Sequence, residues 1–227
     1  NDPTKNYLIQ GSGKISGATS LAKQGAGTLV LANTSANDYA GLTVLSGGTL
    51  QIGNGAAAGS LGANDVSVTA GGTTLAFNRS DAITVNNSIT NGGGNPSLVI
   101  NSGSVTLGGS VDNAGAGATV NNGATLILAK ASSATAHALG TASTVNPGGT
   151  LKLGGTGGDQ IYAGDTVTMA GGTFDMAGLT EGFTALNGYG LLTNSTGSGT
   201  LTLTGNSIFS GGTLTLQSGT LTLNGAA

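Results

Sequence analysis

The sequence predicts an all-β fold in which short parallel strands stack into a β-solenoid. A four-residue unit, made of a small residue followed by apolar, variable and apolar residues, occurs eleven times among the 227 residues. Strict alternation places both apolar side chains on one side of a short strand, and such a strand cannot bury them alone. Recurrence of strands at about 20 to 25 residues is typical of a solenoid, in which neighbouring coils bury each other's apolar side chains.

Each unit predicts one strand, and the spacing between units predicts the coils. In chain order the predicted strands are 28–31, 49–52, 74–77, 97–100, 104–107, 125–128, 150–153, 173–176, 200–203, 213–216 and 220–223. The first apolar positions are 21, 25 and 23 residues apart from Leu29 to Leu98, and the same three steps recur from Val105 to Phe174. We expect roughly nine or ten coils, which at about 4.8 Å per coil form a rod about 45 Å long.

The alternation also predicts which side chains point into the core. The expected inward residues are Leu29, Leu31, Leu50, Ile52, Leu75, Leu126, Leu128, Leu151, Leu153, Phe174, Leu201, Leu203, Leu214, Leu216, Leu221 and Leu223, with Phe77 and Phe209 as further aromatic core residues. If the step from Leu151 to Phe174 is one coil, Lys152 and Asp175 point outward from neighbouring coils. They could then form an exposed ion pair.

Glycine-bearing corners separate many of the strand pairs, as in 46–49, 70–73 and 147–150. A sharp turn between two faces of a coil needs a residue with positive φ, which glycine adopts freely. The alternative is an antiparallel sandwich with hairpin turns, because Asn-Gly, found at Asn122 and Gly123, also favours hairpins. The repeated spacing favours the solenoid.

Composition excludes several classes of protein. Hydrophobic residues make up 37% of the chain, too many for a disordered tract, although 44 residues are glycine and only 7% are charged. Without cysteine the chain has no disulfide and no thiolate metal site. The six lysines and arginines are dispersed and the net charge is −3, so the sequence shows no basic patch of the kind that binds nucleic acid or anionic lipid. We find neither an apolar run long enough to span a membrane nor a signal peptide, and expect residues 1–227 to be one section of a larger protein.

Chemistry-bearing residues are few. His137 is the single histidine. No serine nucleophile elbow on a strand-to-helix turn accompanies it, so we interpret it as a loop residue. A polysaccharide-degrading β-helix enzyme remains the alternative, and it would need carboxylates grouped in one groove. No two carboxylates are adjacent in the sequence; they are Asp2, Asp38, Asp65, Asp81, Asp112, Asp159, Asp165, Asp175 and Glu181. We therefore predict no catalytic, cofactor-binding or metal-binding residues.

Residues 154–162 match a calcium-binding nonapeptide of the form Gly-Gly-x-Gly-x-Asp-x-apolar-x. The match occurs once, whereas calcium in such a roll is shared between successive turns. We interpret the stretch from Gly154 to Asp159 as a glycine-rich bend with a solvated carboxylate.

Two stretches resemble the passenger-associated repeat of bacterial autotransporters. The longer runs from Leu21 through Lys23-Gln24-Gly25 to Gly53 and lies in a copy near 15–55. The second copy, near 197–225, lacks the Lys-Gln lead. The resemblance implies a right-handed parallel β-helix at the surface of, or secreted by, a Gram-negative-type bacterium, and we expect the family's C-terminal membrane barrel to lie outside these residues.

The expected function is therefore that of a non-catalytic stalk or adhesin section. Its partners are expected to be further copies of itself or a ligand on a host or cell surface. Low charge together with many asparagine, serine and threonine side chains suits broad polar contact, in which many weak hydrogen bonds add along a rod. The repeat marks a scaffold, so it does not identify a ligand.

Overall fold

The computed structural model describes residues 5–113 and 115–225 and shows a parallel β-solenoid of about ten turns. In these residues the regular secondary structure consists of strands, without a helix. The strands are β1 (Tyr7–Gly11), β2 (Leu21–Lys23), β3 (Thr28–Asn33), β4 (Thr43–Leu45), β5 (Thr49–Ile52), β6 (Val66–Val68), β7 (Thr74–Val85), β8 (Ile89–Asn91), β9 (Ser97–Leu107), β10 (Gly117–Val120), β11 (Ala124–Leu128), β12 (Ser143–Val145), β13 (Thr150–Leu153), β14 (Thr166–Asp175), β15 (Thr180–Phe183), β16 (Ala185–Thr193), β17 (Thr200–Leu203), β18 (Leu214–Leu216) and β19 (Thr220–Leu223).

The strands form three faces. The leading face contains β1, β3, β5, the first parts of β7 and β9, β10, β12, and the first parts of β14 and β16. The trailing face contains the last parts of β7 and β9, β11, β13, the last parts of β14 and β16, and β18. The interrupted face contains β2, β4, β6 and β8, and later β15, β17 and β19. The named strands pair in parallel. The alternative prediction of an antiparallel sandwich is therefore wrong.

The repeated steps of the sequence are confirmed as turns of the solenoid. On the leading face the successive register partners are Leu29, Leu50, Leu75 and Leu98. On the trailing face they are Val105, Leu126, Leu151 and Phe174. The two series therefore describe two faces of one solenoid, and β9 contributes a residue to each. The right-handed sense of the coil stays a prediction, as does the assignment of the whole chain to one domain.

Most of the predicted core is confirmed. The buried residues among those predicted are Leu31, Leu50, Ile52, Leu75, Phe77, Leu126, Leu128, Leu151, Leu153, Phe174, Leu201 and Leu203. Leu29, Leu214 and Leu221 pack partly against this core. The prediction is wrong for Leu216, Leu223 and Phe209, which are 44%, 59% and 41% exposed. They lie in the last turn, over which no further strand is stacked among the described residues, so their apolar surface stays in contact with solvent.

Glycine is required at the corners for two reasons. Gly48 has a φ of +61°, as the sequence predicts for a corner. A Cβ atom built on Gly48 would also lie 2.4 Å from the carbonyl oxygen of Gly27 in the neighbouring turn. The corners can stack at the spacing of the strands only because this side chain is missing.

Polar side chains join neighbouring turns where strand pairing ends. In each case a side-chain oxygen accepts a hydrogen bond from a backbone N–H of the adjacent turn, which satisfies a buried donor. These pairs include Asp65 with the N–H of Ser88, Asn113 with that of Ile89, Glu181 with that of Gln160 and Asp175 with that of Ser195, at 2.7–2.9 Å. Individual side chains thus help to fix the register.

Lys152 and Asp175 are register partners, and Lys152 Nζ lies 3.0 Å from Asp175 Oδ2. The predicted ion pair is confirmed, but its expected exposure is wrong for Asp175, whose side chain is only 7% exposed. The carboxylate also accepts backbone N–H groups of Ala177 and Ser195. These hydrogen bonds, together with that from Lys152, hold the pKa of Asp175 below its usual value in spite of burial.

Replacing Lys152 with alanine is expected to lower the free energy of unfolding by no more than about 1 kcal/mol, because Asp175 keeps its two backbone donors. Replacing the adjacent Leu151, which is fully buried, is expected to cost about 2–5 kcal/mol through the cavity it leaves. Urea denaturation of both variants measures the difference. A larger loss for Lys152→Ala would contradict the assignment.

Candidate functional site

The interrupted face lacks named strands in three consecutive turns between β8 and β15 of the described chain. The segments 108–113 with 115–116, 129–142 and 154–165 pass through this gap. The latter two are joined by isolated bridges, from Ala131 to Thr156 and from Leu139 to Ile161. A place where a regular fold departs from its own pattern is where a functional site is expected.

These three segments place His137 between two carboxylates. Its Nδ1 atom lies 3.2 Å from Asp112 Oδ1, and its backbone N–H donates a 2.7 Å hydrogen bond to the same oxygen. On the other side, Nε2 lies 3.7 Å from Asp159 Oδ1. The His137 side chain is 8% exposed, whereas the side chains of Asp112 and Asp159 are about one third exposed. The imidazole is therefore fixed between two carboxylates that remain open to solvent.

An aromatic ring completes one wall of the site. Tyr162 is 50% exposed, and its ring meets that of His137 edge to face with 5.4 Å between centroids. A cleft of about 260 Å³ opens beside the two rings, lined by Asp112, Gly115, Thr135, His137, Gly140 and Tyr162. The cleft thus combines a carboxylate, an imidazole and an exposed aromatic ring.

A buried polar layer supports the cleft from inside. The Gln160 side chain accepts a hydrogen bond from the backbone N–H of Lys130 at 3.0 Å and donates to its carbonyl oxygen at 2.8 Å. The ammonium of Lys130, fully buried, donates to the carbonyl oxygen of Gly108 at 2.9 Å. Burial lowers the pKa of Lys130, and the nearby Asp112 and Asp65 oppose that shift.

Two buried carboxyls lie next to this layer. Burial raises the pKa of Glu181 to about 7, against the opposing effect of the N–H groups of Gln160 and Gly182. Burial raises the pKa of Asp165 to about 6, opposed by the charge of His137. Within the described residues Asp165 Oδ2 is buried without a hydrogen-bond partner. Both groups are therefore closer to neutral at physiological pH than an ordinary carboxyl.

The sequence did not predict this grouping. Asp159 and Asp165 are six residues apart, as are Asp175 and Glu181, yet the structure places Asp112 and Asp159 on the two sides of His137. His137 lies in an irregular segment, as expected of a loop residue, but it is buried. Apart from the glycine-rich match at 154–162, the sequence marks these segments only through the absence of the four-residue unit. Asp2, the first carboxylate considered, lies outside the described residues.

The glycine-rich stretch at 154–159 forms a bend, with φ of +74°, +106° and +67° at Gly155, Gly157 and Gly158. The carboxylate of Asp159, which closes the stretch, lies beside His137. In the part of the chain that the structure describes, no group of three or more histidine, cysteine, aspartate or glutamate side chains is placed to hold a metal ion.

Calcium is expected to leave the melting temperature of the chain unchanged. The nonapeptide occurs once, and one carboxylate falls short of the six or more oxygen ligands that calcium prefers. Calorimetry with calcium and with chelator measures this. A rise of several degrees that disappears in Asp159→Ala would instead establish a calcium site.

Comparison with known proteins identifies the repeat. The family model of the passenger-associated-transport repeat matches residues 21–52 and 196–223. Two stretches of the chain are thus similar to this repeat. They lie at opposite ends of the solenoid, and together with the fold they fit the stalk of an autotransporter passenger. No curated protein and no solved structure matches the chain, and no helix among the described residues is long and apolar enough to cross a membrane.

Lys23 has a structural role in the first of the two matched stretches. Its side chain is buried, and Nζ donates to the carbonyl oxygens of Gln24, Gly25 and Gly47 at 2.7–2.9 Å. Because Gly47 belongs to the next corner, the ammonium ties two stacked corners together. Burial lowers the pKa of Lys23. The Lys-Gln lead of the repeat is therefore part of the scaffold.

Proposed function

We propose that this chain is a non-catalytic stalk section of an autotransporter passenger, displayed at the surface of a Gram-negative-type bacterium or secreted by it, which associates side to side with further copies. The observation that carries the proposal is the position of the two passenger-associated-transport repeats within one continuous stack of turns. A stack of this kind serves as a spacer, and its sides are the surfaces on which further copies can bind.

Rows of threonine hydroxyl groups run along two faces of the stack. Thr119, Thr144 and Thr168 are register partners on the leading face and are partly exposed. A second row on the trailing face is formed by Thr125, Thr150 and Thr173. Hydroxyls repeated at the spacing of the turns suit contacts in which many weak hydrogen bonds add along two rods.

Sedimentation velocity over a range of concentrations tests the association. We expect reversible oligomers that dissociate when Thr144 and Thr168 are both replaced by lysine, because like charges on neighbouring turns repel. The matched control carries lysine at Thr202 and Thr222, a register pair on the interrupted face, and should still associate. A monomer at all concentrations would refute self-association.

The alternative enzyme has one observation in its favour, the grouping of Asp112, His137 and Asp159. Both ring nitrogens of His137, however, face carboxylates, which leaves neither nitrogen directed at a nucleophile. We expect no hydrolase or lyase activity on pectins, glycans or peptides. Turnover that is lost in Asp159→Asn would establish the enzyme and refute the non-catalytic assignment.

A further inference from the structure

We propose that the edge of β7 binds an extended peptide segment of another protein, which adds to the solenoid as one further strand beside Ala82 to Val85. The partner segment is uncharged at its centre and carries a basic residue at one end. This inference is independent of the stalk function. It rests on an unpaired strand edge, on a space beside that edge, and on the charges at the two ends of that space.

The trailing face has an open edge at its first strand. Residues 82–85 of β7 pair with 104–107 of β9 on one side, and on the other side no named strand lies beside them in the described chain. In the two preceding turns the segments 34–42 and 53–65 take the place of a trailing strand. An edge strand presents backbone N–H and C=O groups that can pair with another chain.

The hydrogen bonds to β9 show which backbone groups are directed at the open edge. The carbonyl oxygen of Val85 accepts a hydrogen bond from the N–H of Gly108 at 2.9 Å, on the β9 side. Successive residues of a strand direct these groups to opposite sides, so Ile83 and Val85 bond towards β9. The N–H and C=O groups of Ala82 and Thr84 therefore point away from β9, towards the open edge.

A space one strand wide, here called the slot, separates residues 82–85 from residues 59–62 of the preceding turn. Arg79 Nη1 donates to the carbonyl oxygen of Gly59, and Asn87 Nδ2 donates to that of Gly62 at 3.0 Å. Gly59 and Gly62 are three residues apart, whereas Arg79 and Asn87 are eight apart. The turn of β7 thus has the longer path between these two side-chain bridges, and cavities of about 340 and 230 Å³ lie beside it.

The two cavities form one slot, because Ala36, Ser60 and Ile83 line both of them. Ile83 is only partly buried, whereas its register partner Val105 in the next turn is fully buried. An apolar side chain at an inward position is therefore left partly open where the next strand is missing. An apolar side chain of an added strand would cover it.

The charges at the ends of the slot define the partner. At one end the charge of Arg79 is offset by Asp81, with Nε and Nη2 each 2.8 Å from a carboxylate oxygen. At the other end Asp65 lines the slot and accepts the N–H of Ser88. Among the described residues Asp65 forms no ion pair. A basic residue at this end of the partner complements its carboxylate.

The size of the slot favours a single strand over the side of a second rod. Four residues of β-strand span about 13 Å. A stable interface between two folded proteins buries about 800 Å² of each, far more than this length offers. An extended backbone matches the alternating donors and acceptors of the edge, as in other proteins that bind peptides by strand addition.

Amide hydrogen exchange of the ¹⁵N-labelled full chain, followed by NMR, tests the proposal, because the strand carries its own control. In the free protein the N–H groups of Ala82 and Thr84 should exchange fast, and those of Ile83 and Val85 slowly. The probes are capped hexapeptides of alternating threonine and valine with a lysine at the first or the last position. We expect a saturable slowing of exchange at Ala82 and Thr84, and the tighter peptide gives the direction of the added strand.

Three variants locate the binding, and the spectrum of each shows whether it is folded. Thr84→Pro removes an N–H group that faces the slot without removing a hydrogen bond to β9, so it should weaken binding at least about tenfold. Thr84→Val keeps the backbone, is the matched control and should bind like the parent. Asp65→Asn should abolish the preference for one lysine position but leave the binding of a lysine-free peptide unchanged.

The proposal is overturned if the N–H of Thr84 is already protected in dilute free protein, if no peptide slows its exchange in a saturable way, or if folded Thr84→Pro binds like Thr84→Val. Equal binding of the two lysine peptides would overturn the assignment of the basic residue. Protection that rises with protein concentration in the absence of peptide would assign the edge to a second copy. Equal protection by cellohexaose would assign the slot to a glycan, and either of these two results also overturns the proposal.

Discussion

Replacing Phe174 with alanine is expected to lower the free energy of unfolding by about 3–5 kcal/mol. Phe174 is fully buried, and its ring meets that of Phe183 edge to face with 6.2 Å between centroids. It is also the register partner of Leu151 on one side and Leu192 on the other. The truncation therefore opens a cavity shared by three turns and removes an aromatic pair.

Phe209→Ala is the matched control for this variant. The ring of Phe209 is 41% exposed in the last turn, so its removal should cost less than about 1 kcal/mol. Guanidinium denaturation of both proteins gives the comparison. Equal losses would mean that the turn containing Phe174 is not packed as described.

The stability of the fold is expected to decrease as the pH rises from about 5 to 8. Glu181 has its pKa raised by burial from 4.5 to about 7. At intermediate pH the folded chain therefore holds a proton that the unfolded chain releases. The stabilisation by this proton is complete below the pKa of the carboxyl in the unfolded chain, and it is lost as the pH rises through the pKa in the folded chain. For Glu181 it amounts to about 3 kcal/mol. Asp165, raised to about 6, acts in the same direction.

The opposite trend is expected in stronger acid. Asp38, Asp81 and Asp175 have lowered pKa values, so the stability that they contribute is lost when they are protonated. Maximum stability should thus fall between about pH 4 and 5. Thermal melting across pH 3 to 9 measures the profile.

Glu181→Gln separates the contributions to this profile. The amide oxygen can still accept a backbone hydrogen bond, but the side chain no longer titrates, so the slope between pH 5 and 8 should become smaller. Asp38→Asn should leave that slope as it is, because Asp38 is ionised throughout this range. An unchanged slope in Glu181→Gln would show that other groups cause the dependence.

The regular part of the fold could be predicted from the sequence because one physical pattern determines it. Alternation at Leu126 and Leu128 identifies an inward-facing strand, and the step to Leu151 identifies its neighbour. Tyr39 was not predicted as a core residue although it is fully buried, with its hydroxyl 2.7 Å from that of Thr43. It lies between strands, where no alternation marks it.

The candidate site could not be predicted for a related reason. Asp112, His137 and Asp159 occupy segments of different lengths, and their proximity depends on how far each segment bulges from the coil. Spacing along the chain carries no information on that displacement. The burial of charged residues such as Glu181 and Lys130 could not be predicted from the sequence either, because charged residues are ordinarily assigned to the surface.

The gap in the interrupted face has a mechanical consequence. Regular ladders between turns run along the leading and trailing faces through the middle of the rod, but on the third side the named ladders stop at β8 and resume at β15. Between these strands the turns are joined by isolated bridges and single backbone hydrogen bonds. A rod loaded at its ends is expected to bend most easily where its regular ladders are interrupted. Bending stress should therefore concentrate in these three turns. When the rod bends there, the turns should move apart or together on the face that carries His137 and Asp159. The curvature of the rod and the width of the cleft would then change together.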